Sequence, residues 1–341
     1  MQTIIEAEEK PLGVIESLQQ GFNFLNHHLW LLVLPILLDL FLWLGPRLSI
    51  AALVDRVVTF AVTSQPELPA DIAENFDLAV ENLRSLGGNS NLFALLAGLL
   101  TGMPSLFARL DFRSVSALHG RVIEITTWRS AAAWAAFLIP VGVLIGSFWL
   151  SLLVFALRRE RFPSSRFISR WGWLWLNINL YLLALAAAII FASLLFGMVG
   201  AILMMTLGSI GTALFGLLWI LFIGFSIWLS IGLYFVVIAV ALDGVNLASA
   251  VWRSLNVVGR NAMSTLGLLI LILLLTEGFA RIWMQLSGQT WGVFLGILGN
   301  AYLGSALLAA ACLFYQSRYV HWQKTRTLVM LGQSAEQNDK S

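Results

Sequence analysis

The chain has 341 residues, of which 59% belong to the set Ala, Val, Ile, Leu, Met, Phe, Trp, Tyr and Cys, and only 11% are charged. A soluble domain carries roughly 25% Asp, Glu, Lys and Arg, so this charge cannot coat a water-facing globule, and the mean hydropathy of +0.85 agrees. A soluble enzyme, a disordered chain and a nucleic-acid reader are excluded, and a net charge of +2 provides no field to gather polyanions.

The first ten residues are acidic where a secretion signal would be basic, so the first apolar run reads as a retained anchor. Residues 1–28 read as a segment with an interfacial helix over 12–26, followed by a first span over 29–45 that contains Pro35 and Asp39. Residues 46–129 read as a mostly helical cap outside the membrane. Within it, 49–64 suits an amphipathic helix, and Pro66 and Pro69 interrupt it. Asp71 with Glu74 resembles a capping box. Ile72, Phe76, Ala79, Val80, Leu83 and Leu86 then recur at helical spacing up to Gly87-Gly88. The apolar run 91–107 is broken by Gly98, Gly102 and Pro104. It reads as re-entrant or interfacial, with a two-span hairpin as the alternative. The β-formers of 121–128 suit a short strand leading into the next span.

Five further spans fall within 130–316, at 131–157, 178–205, 210–242, 266–286 and 291–314. Residues 317–341 are a polar tail, expected to be disordered at its end. The short loops carrying Arg158, Arg159, Arg161, Arg166 and Arg170, then Arg253 and Arg260, and then Arg318, Lys324 and Arg326 all lie on one side of a six-span arrangement. That side is expected to be cytoplasmic, with both termini there. Trp30, Trp43, Trp128, Trp171, Trp173, Trp252, Trp291 and Trp322 stand near span ends, as interfacial aromatics should.

Residues 12–26, 167–179 and 247–261 share one pattern: Ser, large apolar residues and then Asn, directly before a span. The chain therefore parses as three units, each an interfacial helix followed by a two-span hairpin. The fold class is all-α, a polytopic helical bundle. The stretch 241–261, with Ala250-Val-Trp-Arg253-Ser254 and Asn261 ahead of a Leu-rich span, resembles the bacterial six-span YciC-like proteins and the related membrane domain of glycerophosphodiester phosphodiesterases. The resemblance implies a helical fold in a bacterial inner membrane and no catalytic residues of its own.

Signatures of catalysis are missing: there is no P-loop, HExxH, GxSxG, EF-hand loop or Cys/His cluster, and Cys312 is alone. No cofactor or metal is expected. Adjacent His27 and His28 point apart on a helix and suit an interfacial role better than ligation. Charge at lipid depth costs at least about 2.5–3.5 kcal/mol per residue on insertion scales, which singles out Asp39, Glu277 and Arg281. Glu277 and Arg281 are four residues apart on one helix face, and all three fall at similar depth. They are expected to form one buried network, either a structural clamp or a proton or ion site. Gly292, Gly296, Asn300 and Gly304 recur every four residues, a small-residue stripe for close helix packing or, alternatively, a dimer seam. The expected function is non-enzymatic: a scaffold, assembly or envelope-maintenance protein in contact with membrane lipid, with lipid or a protein partner at the cap. A small transporter or channel using the charged cluster is the alternative.

Overall fold

A computed structural model describes residues 11–64, 70–109, 121–159 and 165–338. Its elements are α1 (Val14–Asn26), a 3-10 turn (Leu29–Leu32), α2 (Val33–Leu44), β1 (Arg47–Ser49), α3 (Ala51–Thr63), α4 (Ala70–Gly88) and a 3-10 turn (Leu92–Ala97). These are followed by β2 (Val122–Glu124), α5 (Trp128–Leu157), α6 (Ser165–Gly232), α7 (Val236–Asp243), α8 (Leu247–Arg260), α9 (Ala262–Leu286) and α10 (Thr290–Asn338). The only sheet among the described residues pairs β1 with β2 in parallel, Leu48 opposite Ile123. Four helices are long and apolar enough to cross a membrane, at Trp128–Leu157, Phe167–Asp243, Ala262–Leu286 and Thr290–Lys324. A fifth is gained if α1 and the bent segment Leu29–Leu44 together form one span. The all-α membrane character read from the composition therefore holds. Pro66, Pro69 and the side chains of Asp71 and Glu74 lie outside the described residues.

The chain divides into two compact units. One comprises Asn23–Glu160 and Ile272–Leu308, and the other Met1–Phe22, Arg161–Leu271 and Ala309–Ser341. In the first of these, α1 ends before His27-His28 and a 3-10 turn follows. Each imidazole turns back on its own helix: His27 Nδ1 lies 2.8 Å from Asn23 O and His28 Nδ1 2.8 Å from Phe24 O. Pro35, in the first turn of α2, has no N–H to offer the Leu31 carbonyl one turn earlier. Buried Trp149 of α5 supplies the donor instead, Nε1 to Leu31 O at 2.8 Å. Without it, a carbonyl freed in an apolar interior would stay unpaired.

The strand pair and the start of the 3-10 turn are knit by side chains. Arg47 donates to the carbonyls of Ser90 and Gly88, and Asn91 Oδ1 accepts from Leu48 N and Phe93 N. Ser90 Oγ donates to Gly87 O and accepts from Ile50 N. Burial pulls the Arg47 guanidinium below its ordinary pKa. α3 and α4 pack closely enough that a Cβ on Gly87 would strike the Val54 side chain.

The other unit holds α6, α7 and α8. α6 is not one rod. Gly208 leaves helical geometry at φ 55° and ψ −124°. The Phe196 ring stands 4.3 Å from that of Phe222 and 5.9 Å from that of Trp219. In an unbroken helix these residues would be about 39 Å apart, so the chain reverses at Gly208 into a helical hairpin. The repeat expected at 167–179 does not break the helix as it does at 26–28 and at Asn261. Asn177 and Asn179 bond back to Trp173 O and Trp175 O within continuous α6. Asn261 Nδ2 bonds back to Val257 O in the same way at the end of α8, so the back-bond alone does not decide whether the helix continues. α10 also continues as helix to Asn338, well past the expected span end at Phe314.

Candidate functional site

The charged groups singled out above do not form the expected triad. Asp39, fully buried on α2, accepts three hydrogen bonds from the segment after Pro104: Ser105 Oγ at 2.5 Å and the N–H of Phe107 at 3.3 Å to Oδ1, and the N–H of Leu106 at 2.8 Å to Oδ2. Ser105 Oγ in turn accepts the Ala108 N–H at 3.1 Å. One carboxylate and one hydroxyl thus satisfy three successive backbone donors of a turn that has no helix of its own. Glu277 on α9 takes its cation from the same segment, both carboxylate oxygens lying 2.6 Å from Arg109 Nη2. Arg281 is exposed and makes no hydrogen bond or ion pair among the described residues, to Asp39 and Glu277 included. The cation of the network is therefore Arg109, two residues past the apolar run. Helix spacing makes Arg281 a neighbour of Glu277, but the loop delivers a guanidinium closer.

Residues 91–109 are partly buried, with Leu99, Leu100 and Gly102 exposed at the turn. Thr101, Met103, Leu106 and Phe107 are buried, and Phe107 stacks on Trp43 with ring centres 6.5 Å apart. The loop lies against the middle of α5, where a Cβ on Gly142 would strike Leu95 O and one on Gly146 would strike Thr101 Oγ1. Gly98 turns at φ +72°, and any side chain there would also meet the Gly142 carbonyl at 2.8 Å. The two glycines of α5 let this irregular backbone approach closely, and Asp39 and Ser105 satisfy donors of its last turn.

The small-residue stripe serves the same loop. A Cβ on Gly304 would strike Pro104, one on Gly296 would lie 3.2 Å from Leu106, and one on Gly292 would meet Leu286 O. Gly299, outside the stripe, accommodates the Trp283 ring. Asn300 is buried, while Tyr302 donates to Asn26 Oδ1 at 2.7 Å. The stripe thus receives a loop and a hairpin neighbour within one chain.

In the other unit, residues of 243–261 form a clasp with α10. Asp243 Oδ2, at the end of α7, accepts from Arg253 Nη1 at 2.7 Å and Tyr315 Oη at 2.8 Å. Arg253 also lies 4.7 Å over the Tyr319 ring. Burial opposes the charge on Arg253, but the Asp243 hydrogen bond and charge outweigh it and hold the guanidinium above its usual pKa. Ser254 Oγ donates to Gly232 O at 2.6 Å and accepts from Phe235 N at 3.1 Å, filling the break between α6 and α7. Asn261 Oδ1 accepts from Arg318, which also donates to Leu12 O. Hydropathy alone missed Asp243 because it sits at the edge of a span. The signal that could have found it was the ten-residue spacing to Arg253 across a Gly-containing turn.

An apolar groove of about 500 Å³ runs between the hairpin and α9, lined by Trp219, Phe222, Ile223, Tyr234 and Leu269. Ser226 and Ser230 border it, but each hydroxyl bonds back to the carbonyl four residues earlier. No three His, Cys, Asp or Glu side chains converge among the described residues. No family model, curated protein or solved structure matches the chain.

Proposed function

We propose that this protein is a non-enzymatic, six-span protein of the bacterial inner membrane with a scaffolding, assembly or envelope-maintenance role. It is read as akin to the YciC-like proteins and the phosphodiesterase membrane domain, with its spans arranged as three hairpins. Six spans follow if the reversal at Gly208 divides Phe167–Asp243 into two and the bent segment at 29–44 counts as one. With both termini cytoplasmic, α3 and α4 form a cap on the outer side, open to lipid or a protein partner. The observation that carries the scaffold reading is that Asp39 and Glu277 are occupied by donors of the loop they hold in place. Charge spent on fixing a loop is not free to carry a proton or an ion.

The rival transporter reading draws on the broken first segment and on a loop reaching the middle of α5, both familiar from transporters. Cysteine accessibility separates the two. In a Cys312→Ser background, Ser105→Cys is treated with a membrane-impermeant maleimide in intact cells and in inverted vesicles. A scaffold leaves Cys at 105 unlabelled from both sides until the protein is denatured. Labelling from either side in the native protein would sink the scaffold reading and favour a water-filled path.

A further inference from the structure

α8 lies between a candidate span ending at Asp243 and one beginning at Ala262, and the span of α10 ends at Lys324. Arg260 and Arg326 therefore each stand two residues from a span end. Both reach the same indole. The Arg260 guanidinium carbon lies 5.5 Å from the centre of the Trp322 ring, and that of Arg326 lies 5.8 Å from it. One turn before Trp322, Arg318 donates to Asn261 at 2.7 Å, so the start of α9 and this part of α10 are held at one level. Trp322 is thus held in place, and the exposed guanidiniums of Arg260 and Arg326 each lie over its ring.

Gathering two like charges is unfavourable unless an anion joins them. The described carboxylates of this unit are committed elsewhere: Asp243 to Arg253 and Tyr315, and Glu16 to the Gly13 N–H. Lys324 adds a third cation close by in sequence and is also exposed. The surface beside the pair is apolar: Trp252 on α8 is 67% exposed and Met263 at the start of α9 is 85% exposed. An anion that suits this place has oxygens for two planar guanidinium forks and an apolar body for Trp252 and Met263.

We propose that Arg260, Trp322 and Arg326 form a binding site for the phosphate of an anionic lipid headgroup at the membrane surface where these spans end. The site does not depend on the scaffold reading. It needs only that the apolar helices lie in lipid. The same phosphate chemistry would also fit a free phosphate ion, so the test separates the two sources.

The full chain in detergent is titrated by native mass spectrometry with phosphatidylglycerol, with zwitterionic phosphatidylethanolamine and with inorganic phosphate. Phosphatidylglycerol is expected to bind in preference to phosphatidylethanolamine. Basic residues at a membrane surface each contribute about fivefold to anionic-lipid binding, so Arg260→Gln/Arg326→Gln should lose roughly thirtyfold. Each single variant should lose about fivefold, which keeps the test sound if the double variant folds poorly. Arg260→Lys/Arg326→Lys should retain most of the preference, as charge survives and only the fork geometry is lost. An unchanged phosphatidylglycerol preference in the single and double Gln variants would overturn the site. Binding of inorganic phosphate with no preference between the two lipids would overturn the lipid assignment.

Discussion

Replacing Asp39 by Leu removes the one acceptor that three donors of the 105–107 turn share, Ser105 Oγ and the N–H groups of Leu106 and Phe107. Two opposing magnitudes decide the outcome. A buried hydrogen bond to a charged group is worth about 1.5–3 kcal/mol, and an N–H left unpaired costs about 1–3 kcal/mol. Polar contacts within membrane bundles average nearer 0.6 kcal/mol, because the unfolded chain in lipid also finds partners. Leu106 is fully buried and Phe107 nearly so, leaving the two N–H groups little chance of reaching water. The larger figures therefore govern, and Asp39→Leu should cost about 3–5 kcal/mol. Asp39→Asn is the sharper test. Its carbonyl oxygen in place of Oδ1 keeps Ser105 and Phe107, while its NH₂ then faces the Leu106 N–H across 2.8 Å, donor against donor. It should cost about 1–3 kcal/mol. The assay is reversible unfolding in mixed micelles, paired with trypsin cleavage at Arg109 in the folded protein. Both variants should expose Arg109 to trypsin, Leu more than Asn. If Asp39→Leu changed stability by less than about 0.5 kcal/mol with Arg109 still protected, the role assigned to Asp39 would be refuted.

Arg109→Glu alone should expose the loop to chymotrypsin, which cleaves after Phe107, and adding Glu277→Arg should restore protection; full protection in Glu277→Arg alone would contradict the pairing. Gly142→Ala should lower stability by about 1–3 kcal/mol, because its methyl meets the backbone of Leu95, whereas Gly216→Ala, open on all sides, should raise it by about 0.5–1 kcal/mol; unfolding of the two side by side checks the order. Asp243→Ala should lower stability by about 2–3 kcal/mol by stranding a half-buried guanidinium. Adding Arg253→Met should recover part of that loss, and a further loss in the double variant would show that the pair is not what the clasp depends on.

Much of the fold can be read from residues one turn apart. The helix over 247–261, its end at Asn261, the helix ending at Gly87-Gly88 and the short strand at Val122–Glu124 all follow from periodicity and punctuation, which are local. Pro35 hints at a broken first segment because its missing N–H acts within one turn, whereas the sequence assigns the His pair only to an interface and its back-bonding appears only in the structure. The interfacial break expected near Asn177–Asn179 is absent: an Asn bonds back one turn both inside continuous α6 and at Asn261, where α8 ends, so the residue by itself does not mark a break.

Transfer free energy is a sum over residues that needs no knowledge of neighbours, so the apolar helices and the short list of costly charges are legible along the chain. What those charges do depends on how the chain folds. An ion pair is chosen by distance in space. The guanidinium that reaches Glu277 comes from Arg109, 168 positions earlier, while Arg281, one turn away, is left without a partner among the described residues. The same holds for Asp39, two of whose three donors are backbone N–H groups that carry no residue identity and so leave no trace in the sequence.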